Sequence, residues 1–360
     1  MDRSNMKDTK FGIITRGVGG LYGVRTVDPE NGGISEEVLC RARGIFRQNH
    51  ITPTVGDEVK IEPVDGSANE DWFVPDGEDG GRDAKKSRGG NGGGKKQDVR
   101  VDFVIDEILP RRNLLIRPPT ANLDYLFAVI PAASPAPDLL TADKLTVIAE
   151  NYGIETVIIV NKSDLDPESS ARLTDIYRTA GYTVFPVSAE RGDGMDALAA
   201  YIAEITAPDT GKTHISGAFA GVSGGGKSTL MTALFPDLQL KTGGVSHKTE
   251  RGRHTTRHVE IYPLETASGG RFWLADTPGF SMLDFTRFNF FPYDELAASF
   301  REFEECLGQC RYTKCTHRKE EGCAVIEKMN DGRIAPSRHE SYVRIYDEQR
   351  SVPEWKRRMT

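Results

Sequence analysis

Residues 221–228 read GVSGGGKS and continue directly from the apolar run HISGAFA. The pattern G-x-x-x-x-G-K-[ST], placed after a strand and before a helix, dictates a phosphate-binding turn. Gly224, Gly225 and Gly226 let backbone N–H groups converge on phosphate oxygens with no Cβ in the way. The start of the next helix adds its positive dipole end, and the Lys227 ammonium reaches the β and γ oxygens. The Ser228 hydroxyl is placed to coordinate Mg²⁺. The contacts expected from this segment are Gly221, Val222, Ser223, Gly224, Gly225, Gly226, Lys227, Ser228 and Thr229.

Such a turn needs a sheet to hold it, and the sequence supplies one. Near-continuous apolar runs occur at DYLFAVI (124–130), TVIIV (156–160), TVFPVS (183–188), HISGAFAG (214–221) and RFWLAD (271–276). Helical stretches separate them, which predicts a mainly parallel sheet covered on both faces. One helix opens at Pro167 and stops at Gly181, with Leu173, Ile176, Tyr177 and Ala180 on one stripe. Leu198, Tyr201, Ile202 and Ile205 repeat the spacing. Both stripes are core packing.

Two further strings sit at strand ends. NKSD (161–164) follows TVIIV, and the two oxygens of Asp164 suit the ring N–H and exocyclic amine of guanine. Adenine would leave that carboxylate unpaired. Asn161 steadies the loop and base, the Lys162 stem can lie over the ring, and Ser163 completes the turn. At SAE, Ser188 and Ala189 close TVFPV, and a backbone N–H there can meet the guanine oxygen. DTPG (276–279) ends RFWLA; Asp276 can hold Mg²⁺ through water, and the Gly279 N–H can sense a γ-phosphate.

Ordinary GTP-binding domains place the phosphate loop first and N-K-x-D late. Here the order is 161, 188, 221, 276, a circular permutation. Loops at the carboxyl ends of parallel strands meet along one edge in whatever order the chain visits them, so the site survives. The segment after DTPG then runs into a cysteine-bearing region, which suggests that γ-phosphate sensing is coupled to that region's orientation.

Four of the five cysteines crowd into 306–323. That is too few for a disulfide framework, and the clustering favours metal in a reducing, cytoplasmic setting. Cys310, Cys315, His317 and Cys323 read C-x4-C-x-H-x5-C, three thiolates and an imidazole that close a structural Zn²⁺ shell. Cys306 is expected to be a buried or partly buried free thiol, and Cys40 has no metal company. Leu296, Phe300, Phe303 and Leu307 predict one amphipathic helix before the cluster, and Pro336 opens a last one.

At 360 residues the chain holds two or three domains. With 46 Lys+Arg against 53 Asp+Glu, its net charge of −7 argues against indiscriminate nucleic-acid coating. The longest mostly apolar run, YLFAVIPAA (125–133), is far below the roughly 20 residues of a membrane span. The first ten residues lack an apolar stretch, so no secretory signal is expected. Short β-type runs over 11–64 and again at 100–108 predict a small antiparallel barrel. The Gly-rich stretch at 65–99 reads as a disordered spacer inserted in it.

The chain resembles the RsgA family, ribosome small subunit-dependent GTPases that assist late small-subunit assembly. The matching strings are CRARG (40–44), VGDEV (55–59), NLD (122–124), NKSD, GVSGGGKSTL, GRHTT (252–256), DTPGF and the cysteine cluster. The resemblance spans nearly the whole chain except 65–99. It implies an OB-like RNA-binding barrel (1–112), a circularly permuted α/β P-loop GTPase (113–286) and a helical zinc-binding domain (287–360). It further implies GTP as substrate, Mg²⁺, one structural Zn²⁺, and the 30S subunit with its rRNA as partner; nothing demands more than a monomer. On the barrel, Arg41, Arg43 and Arg47, with Phe46 and His50, become candidates for RNA contact. Arg311, Lys314, Arg318 and Lys319 could add phosphate contacts.

GRHTT lies where a switch segment belongs, and Thr255 or Thr256 would supply the second hydroxyl to Mg²⁺; Thr256 is the one assigned. Phe280 follows DTPG, where many GTPases have a Gln that orients the attacking water. His254 is the candidate replacement, an exposed loop histidine the alternative. Two other readings stand beside the GTPase: a zinc-and-barrel RNA-binding module in which nucleotide is only structural, and an ATPase, which NKSD disfavours.

Overall fold

The computed structural model describes residues 9–28, 33–64, 101–116, 118–208, 214–236, 259–276 and 291–352. The insertion at 65–99, the GRHTT string with His254, Thr255 and Thr256, and Gly279 with Phe280 lie outside the described residues. The chain forms two compact units, one holding residues 1–112 with 119–122 and 258–261, the other holding the remainder.

The first unit is a closed barrel of β1 (Lys10–Val18), β2 (Leu21–Val27), β3 (Ile34–Ala42), β4 (Glu58–Pro63) and β5 (Phe103–Ile108). Its strand order is β1-β2-β3-β5-β4, with β4 antiparallel to β1 and β3 parallel to β5. Closure leaves no free strand edge. Ile14, Val24, Cys40, Ala42, Val59 and Ile61 fill the interior. Burial pushes the Cys40 thiol up to about 12, which makes it an inert core group.

The string VGDEV is structural. Asp57, fully buried, accepts from Arg111 Nε (2.6 Å), Arg111 Nη2 (2.8 Å) and the Thr54 backbone N–H (2.7 Å). Gly56 has φ of 92°, and a Cβ there would meet the Ala121 carbonyl oxygen at 2.2 Å. Asn122 of NLD donates Nδ2 to the Gly56 carbonyl at 3.0 Å. On the short helix α1 (Ile45–Gln48), Phe46 is buried, so it packs the core and has no face to offer a base. Arg43 is engaged by Asp106 (2.5 Å) and Glu62 (3.1 Å), while Arg47 and His50 are exposed.

In the second unit a six-stranded sheet runs β10 (Thr183–Pro186), β9 (Glu155–Asn161), β8 (Tyr125–Pro131), β11 (Ile215–Gly221), β13 (Arg271–Asp276), β12 (Glu260–Glu265). Of two short strands that precede it in the chain, β6 (Leu114–Ile116) belongs to this unit and β7 (Pro119–Ala121) to the first. The pairs from β10 through β13 are parallel. Helices α2 (Leu139–Asn151), α3 (Pro167–Thr179), α4 (Met195–Ile205) and α5 (Lys227–Leu234) connect or follow the strands. Asp138 and Asp166 cap α2 and α3 by accepting from Thr141 N and Ser169 N. Phe127 stacks on Phe219 at 4.8 Å and meets Phe272 edge-on at 5.9 Å, at the centre of the core. The strand order reverses between β8 and β11, because β8, β9 and β10 build outward one way and β11 and β13 the other. In open α/β sheets ligands settle at such a reversal. Asp124 ties the two central strands together, accepting from Ser216 N (2.9 Å) and Oγ (3.0 Å).

The single helix expected over 296–307 is instead two 3₁₀ turns, Leu296–Ser299 and Arg301–Cys306. Phe300, Phe303 and Cys306 are all fully buried and lie three apart, the period of a 3₁₀ helix. Leu307 is only half-buried. Then come α6 (Ala324–Asn330) and α7 (Pro336–Ser351), the latter opening at Pro336 as expected. No helix among the described residues is long and apolar enough to cross a membrane.

Asp57→Ala should cost the barrel about 2–3 kcal/mol, since it strips Arg111 and the Thr54 N–H of their acceptor. Urea unfolding followed by circular dichroism checks this; a loss under about 0.5 kcal/mol would contradict the role given to VGDEV.

Candidate nucleotide site and metal centre

The phosphate loop occupies the turn from β11 into α5. Lys227 Nζ donates back to the carbonyls of Gly221 (2.8 Å) and Val222 (2.9 Å). This folds its ammonium over the loop, and burial pushes it below the ordinary lysine value. A polyanion arriving there would be met by a partly desolvated cation. Gly226, φ of 90°, stands so close to the neighbouring loop that a Cβ would sit 2.3 Å from Asn161 Nδ2. Ser223, Gly224, Ser228 and Thr229 are exposed.

Asn161 ends β9 and is buried. Its Nδ2 donates to the Gly225 carbonyl at 3.0 Å, and its Oδ1 accepts from the Ala189 N–H at 3.1 Å. One side-chain amide therefore joins NKSD to the phosphate loop and to the Ser-Ala loop. Lys162 holds φ of 61°, a left-handed conformation that costs a residue with a Cβ about 1 kcal/mol or more. The turn aims its Nζ at the carbonyls of Gly224 (2.9 Å) and Ser134. Ser188 is buried and shapes its own loop, its Oγ accepting from Arg191 N at 3.2 Å and its N–H donating to the Asp193 carbonyl at 2.9 Å. Ser163 and Asp164 are half-buried just beyond. Asp276 ends β13, the strand beside β11. Mg²⁺ prefers oxygen donors, and the Ser228 hydroxyl at an exposed first helical turn with a carboxylate at the adjacent strand end suits it.

The second centre lies between the 3₁₀ turns and α6. Ligand atoms of Cys310, Cys315, His317 and Cys323 all fall within 4.8 Å of one another. Cys310 Sγ is 3.4 Å and Cys323 Sγ 3.5 Å from His317 Nδ1, and the two sulfurs are 4.0 Å apart. Bonds of roughly 2.3 Å in a tetrahedron put neighbouring sulfurs about 3.8 Å apart, so the donors fit Zn²⁺ and leave no open position. Burial pushes His317 down, towards the neutral imidazole that ligates. Burial, with the Cys323 and Cys310 side chains adding to it, pushes the metal-free Cys315 thiol up to about 12. Cys306 is fully buried and is not one of the four.

The supports of this cluster had little sequence signal. Glu320 accepts from the Thr316 hydroxyl and from Thr316 N (2.9 Å), Arg318 N (2.9 Å) and Lys319 N (3.0 Å); burial alone would raise its carboxyl, but the Thr316 hydroxyl first, and then the Lys319 and Thr316 backbone N–H groups, hold it down at about 2. From α7, Tyr342 donates its hydroxyl to the Thr316 carbonyl at 2.8 Å, and His339 Nε2 lies 2.7 Å from the His317 carbonyl. The acid that directly follows T-H-R-K, first of the pair Glu320 and Glu321, is the one visible hint.

Known proteins match over this whole layout. The small ribosomal subunit biogenesis GTPase RsgA of Ruminiclostridium cellulolyticum is 36% identical over 351 residues, 98% of this chain and 97% of that protein. The chain belongs to the RsgA GTPase family. The family's GTPase model matches residues 108–286, and its N-terminal domain matches 11–69. The RsgA of Caldanaerobacter subterraneus is 37% identical over 338 residues, 94% of this chain and 95% of that one. Among solved structures, YjeQ from Thermotoga maritima aligns with a TM-score of 0.67 at 28% identity, covering 96% of this chain and all of that one. YloQ, a circularly permuted GTPase, aligns at 0.65 and 28%, covering 97% and 98%. The permuted motif order is thus a property of the family's fold, and the chain is a GTPase by descent.

Because the metal-free Cys315 thiol sits near 12 and binds metal as thiolate, zinc uptake must expel protons. His317, pushed down by burial, contributes none near neutrality. Affinity for Zn²⁺ should therefore fall at least about tenfold for each unit of pH lowered from 8 to 6. Competition titration with a chromophoric chelator reads this; a flat profile would contradict thiolate ligation.

Proposed function

We propose that the chain hydrolyses GTP in the service of small ribosomal subunit biogenesis, engages the 30S particle through its rRNA, and turns over quickly only when engaged. The observation that carries this reading is the Asn161 amide, which bridges Gly225 O and Ala189 N and so brings three nucleotide loops to one rim. The roles divide by chemistry. Asp164 accepts the guanine N–H groups, with Lys162 over the ring and Ser163, Ser188 and Ala189 shaping the base pocket. Residues Gly221 to Thr229 cradle the phosphates, and Lys227 neutralises the charge that develops on the β and γ oxygens.

Ser228 and Thr256 would hold Mg²⁺ directly and Asp276 through water; the bound cation supplies further charge neutralisation at the phosphates. Gly279 offers its N–H to the γ-phosphate. Phe280 has no polar atom, so water orientation passes to another residue, and His254, beside the switch threonines, is assigned that role. With His254 as the one orienting group, intrinsic turnover should be slow and should rise when a partner fixes that histidine.

The functional division is the RNA-binding OB-like barrel of 1–112, the permuted GTPase of 113–286 and the zinc-bearing segment of 287–360, in which Zn²⁺ is structural. Arg41, Arg47 and His50 on the barrel, and Arg311, Lys314, Arg318 and Lys319 around the cluster, supply the RNA contacts. The protein acts as a monomer in the cytoplasm, where thiolate ligands stay reduced.

Turnover of GTP with and without purified 30S subunits tests the reading. Stimulation of about tenfold or more is expected, and none would leave an RNA-binding module that uses nucleotide as a prop. His254→Ala should abolish the stimulation and leave GTP affinity within a few-fold; full stimulation in that variant removes His254 from the mechanism. Asp164→Asn should cost about 2 kcal/mol or more of guanine preference, and a retained preference would put the base elsewhere.

A further inference from the structure

A fully buried arginine fastens the metal-bearing segment to the guanine half of the sheet. The Arg338 side chain on α7 is 0% exposed and lies between Asp143 on α2 (1%) and Glu302 (3%). Its Nη1 donates to Asp143 Oδ1 at 2.6 Å and to Thr146 Oγ1 at 3.1 Å. Nε and Nη2 donate to the two oxygens of Glu302 at 2.7 and 3.2 Å, and the guanidinium lies 4.7 Å from the Phe300 ring centre. Tyr177 on α3 donates its hydroxyl to the same Asp143 oxygen at 2.8 Å. Nearby, Arg301 forks onto Glu155, the first residue of β9, at 2.9 and 3.1 Å, and also binds Glu150 at the end of α2. Lys144 on α2 pairs with Glu348 on α7 at 2.6 Å.

Two consequences follow from these contacts. A swing of the segment 291–352 as a separate body would carry Arg338 and Glu302 away together and leave Asp143 on α2 without its guanidinium in a water-poor interior, which is strongly unfavourable. Communication with the nucleotide must instead pass through the packed interface. Both ends of such a route are present. At one end the carbonyls of Thr316 and His317, within the metal loop, are held by Tyr342 and His339 of α7. Arg338 adjoins His339 on the same helix. At the other end α2 leads into β9, which finishes at Asn161 and the NKSD loop.

We infer that Arg338 is a positioning residue of the guanine loop, acting through α2 and β9, and that it makes guanine recognition depend on occupancy of the Cys310–Cys315–His317–Cys323 cluster. The inference rests on the guanine-site reading of Asp164 given above. Loss of the metal frees the 310–323 loop, takes the fixed acceptors from His339 and Tyr342, and loosens α7. Arg338 then no longer seats α2, and β9 presents Asp164 less well. The phosphate loop hangs from β11 and feels the change only through the Asn161 and Lys162 bonds to Gly225 and Gly224. The coupling should therefore appear more strongly in base selection than in phosphate binding.

The experiment uses the full-length protein and two diphosphates, GDP and IDP, which differ only in the exocyclic amine that Asp164 would accept. Dissociation constants are measured by displacement of a fluorescent GDP, before and after stoichiometric zinc release by a chelator. Zinc removal should weaken GDP about fivefold to tenfold and IDP by a clearly smaller factor, since hypoxanthine keeps the ring N–H but lacks the amine. Arg338→Met should show the same loss with zinc in place, and removing its zinc should add less than about twofold. Should Arg338→Met fail to fold, Tyr342→Phe keeps the ring and deletes only the hydroxyl bond to Thr316; zinc removal should then shift GDP by less than half the wild-type factor.

Unchanged GDP affinity after verified zinc release overturns the inference. So does equal weakening of GDP and IDP, as general destabilisation would give, or multiplication of the Arg338→Met and zinc effects. Zinc-loaded protein that prefers ADP to GDP overturns the guanine reading and this inference with it. Protein that selects GDP but ignores its metal overturns this inference alone.

Discussion

The buried amide of Asn161 holds the nucleotide site together. Its Nδ2 donates a hydrogen bond to the Gly225 carbonyl and its Oδ1 accepts one from the Ala189 N–H, so three loops from three strands share a single planar group. An amide suits this place because it both donates and accepts; a carboxylate would repel the carbonyl, and an apolar side chain would leave two buried polar groups unpaired. Gly226 makes the approach possible, since any Cβ there would occupy the space of Asn161 Nδ2. Lys162 adds a second clasp through Gly224 and accepts a left-handed backbone to do it. Local strain of this kind gathers at functional sites, where the surrounding structure can hold it in place.

Once the loops are clasped, their order along the chain loses importance. Parallel strands all deliver their carboxyl ends to the same edge, and hydrogen bonding across β9, β8, β11 and β13 fixes how far apart those ends lie. A permuted chain therefore pays no geometric penalty. What permutation alters is the exit: the chain leaves β13 for the cysteine-bearing segment, which packs back onto α2 and β9 through Arg338 and Arg301. The metal cluster and the base loop thus share a mechanical frame although more than a hundred residues separate them in sequence.

Much of this was legible in the sequence, for physical reasons. The phosphate loop, NKSD and the C-x4-C-x-H-x5-C cluster are short, and their geometry follows from residues close together in the chain. The core strands announced themselves because burial on both faces demands continuous apolar runs. β12 (Glu260–Glu265) gave no such signal; it is an edge strand interrupted by Pro263 and only partly buried. Residues 296–307 read as an α-helix because apolar spacings of three and four cannot be told apart over so short a stretch. The true period of three emerges only with Phe300, Phe303 and Tyr342 packed together. Arg43 read as free to meet RNA because its partners, Glu62 and Asp106, lie far along the chain, and the burial of Phe46 left no mark in the sequence around it. Arg338 carried no signal at all, since its partner Asp143 is 195 residues away.

The claim beneath all of this is that Asp164 and Lys227, from loops met in reversed order, grip opposite ends of one nucleotide. A crystal structure with a non-hydrolysable GTP analogue and Mg²⁺ measures it directly. The expected result is a single nucleotide with its guanine edge on Asp164, its β- and γ-phosphates at Lys227 and its cation at Ser228. A base seated away from Asp164 while the phosphates occupy the loop, or no nucleotide at this rim, would contradict it.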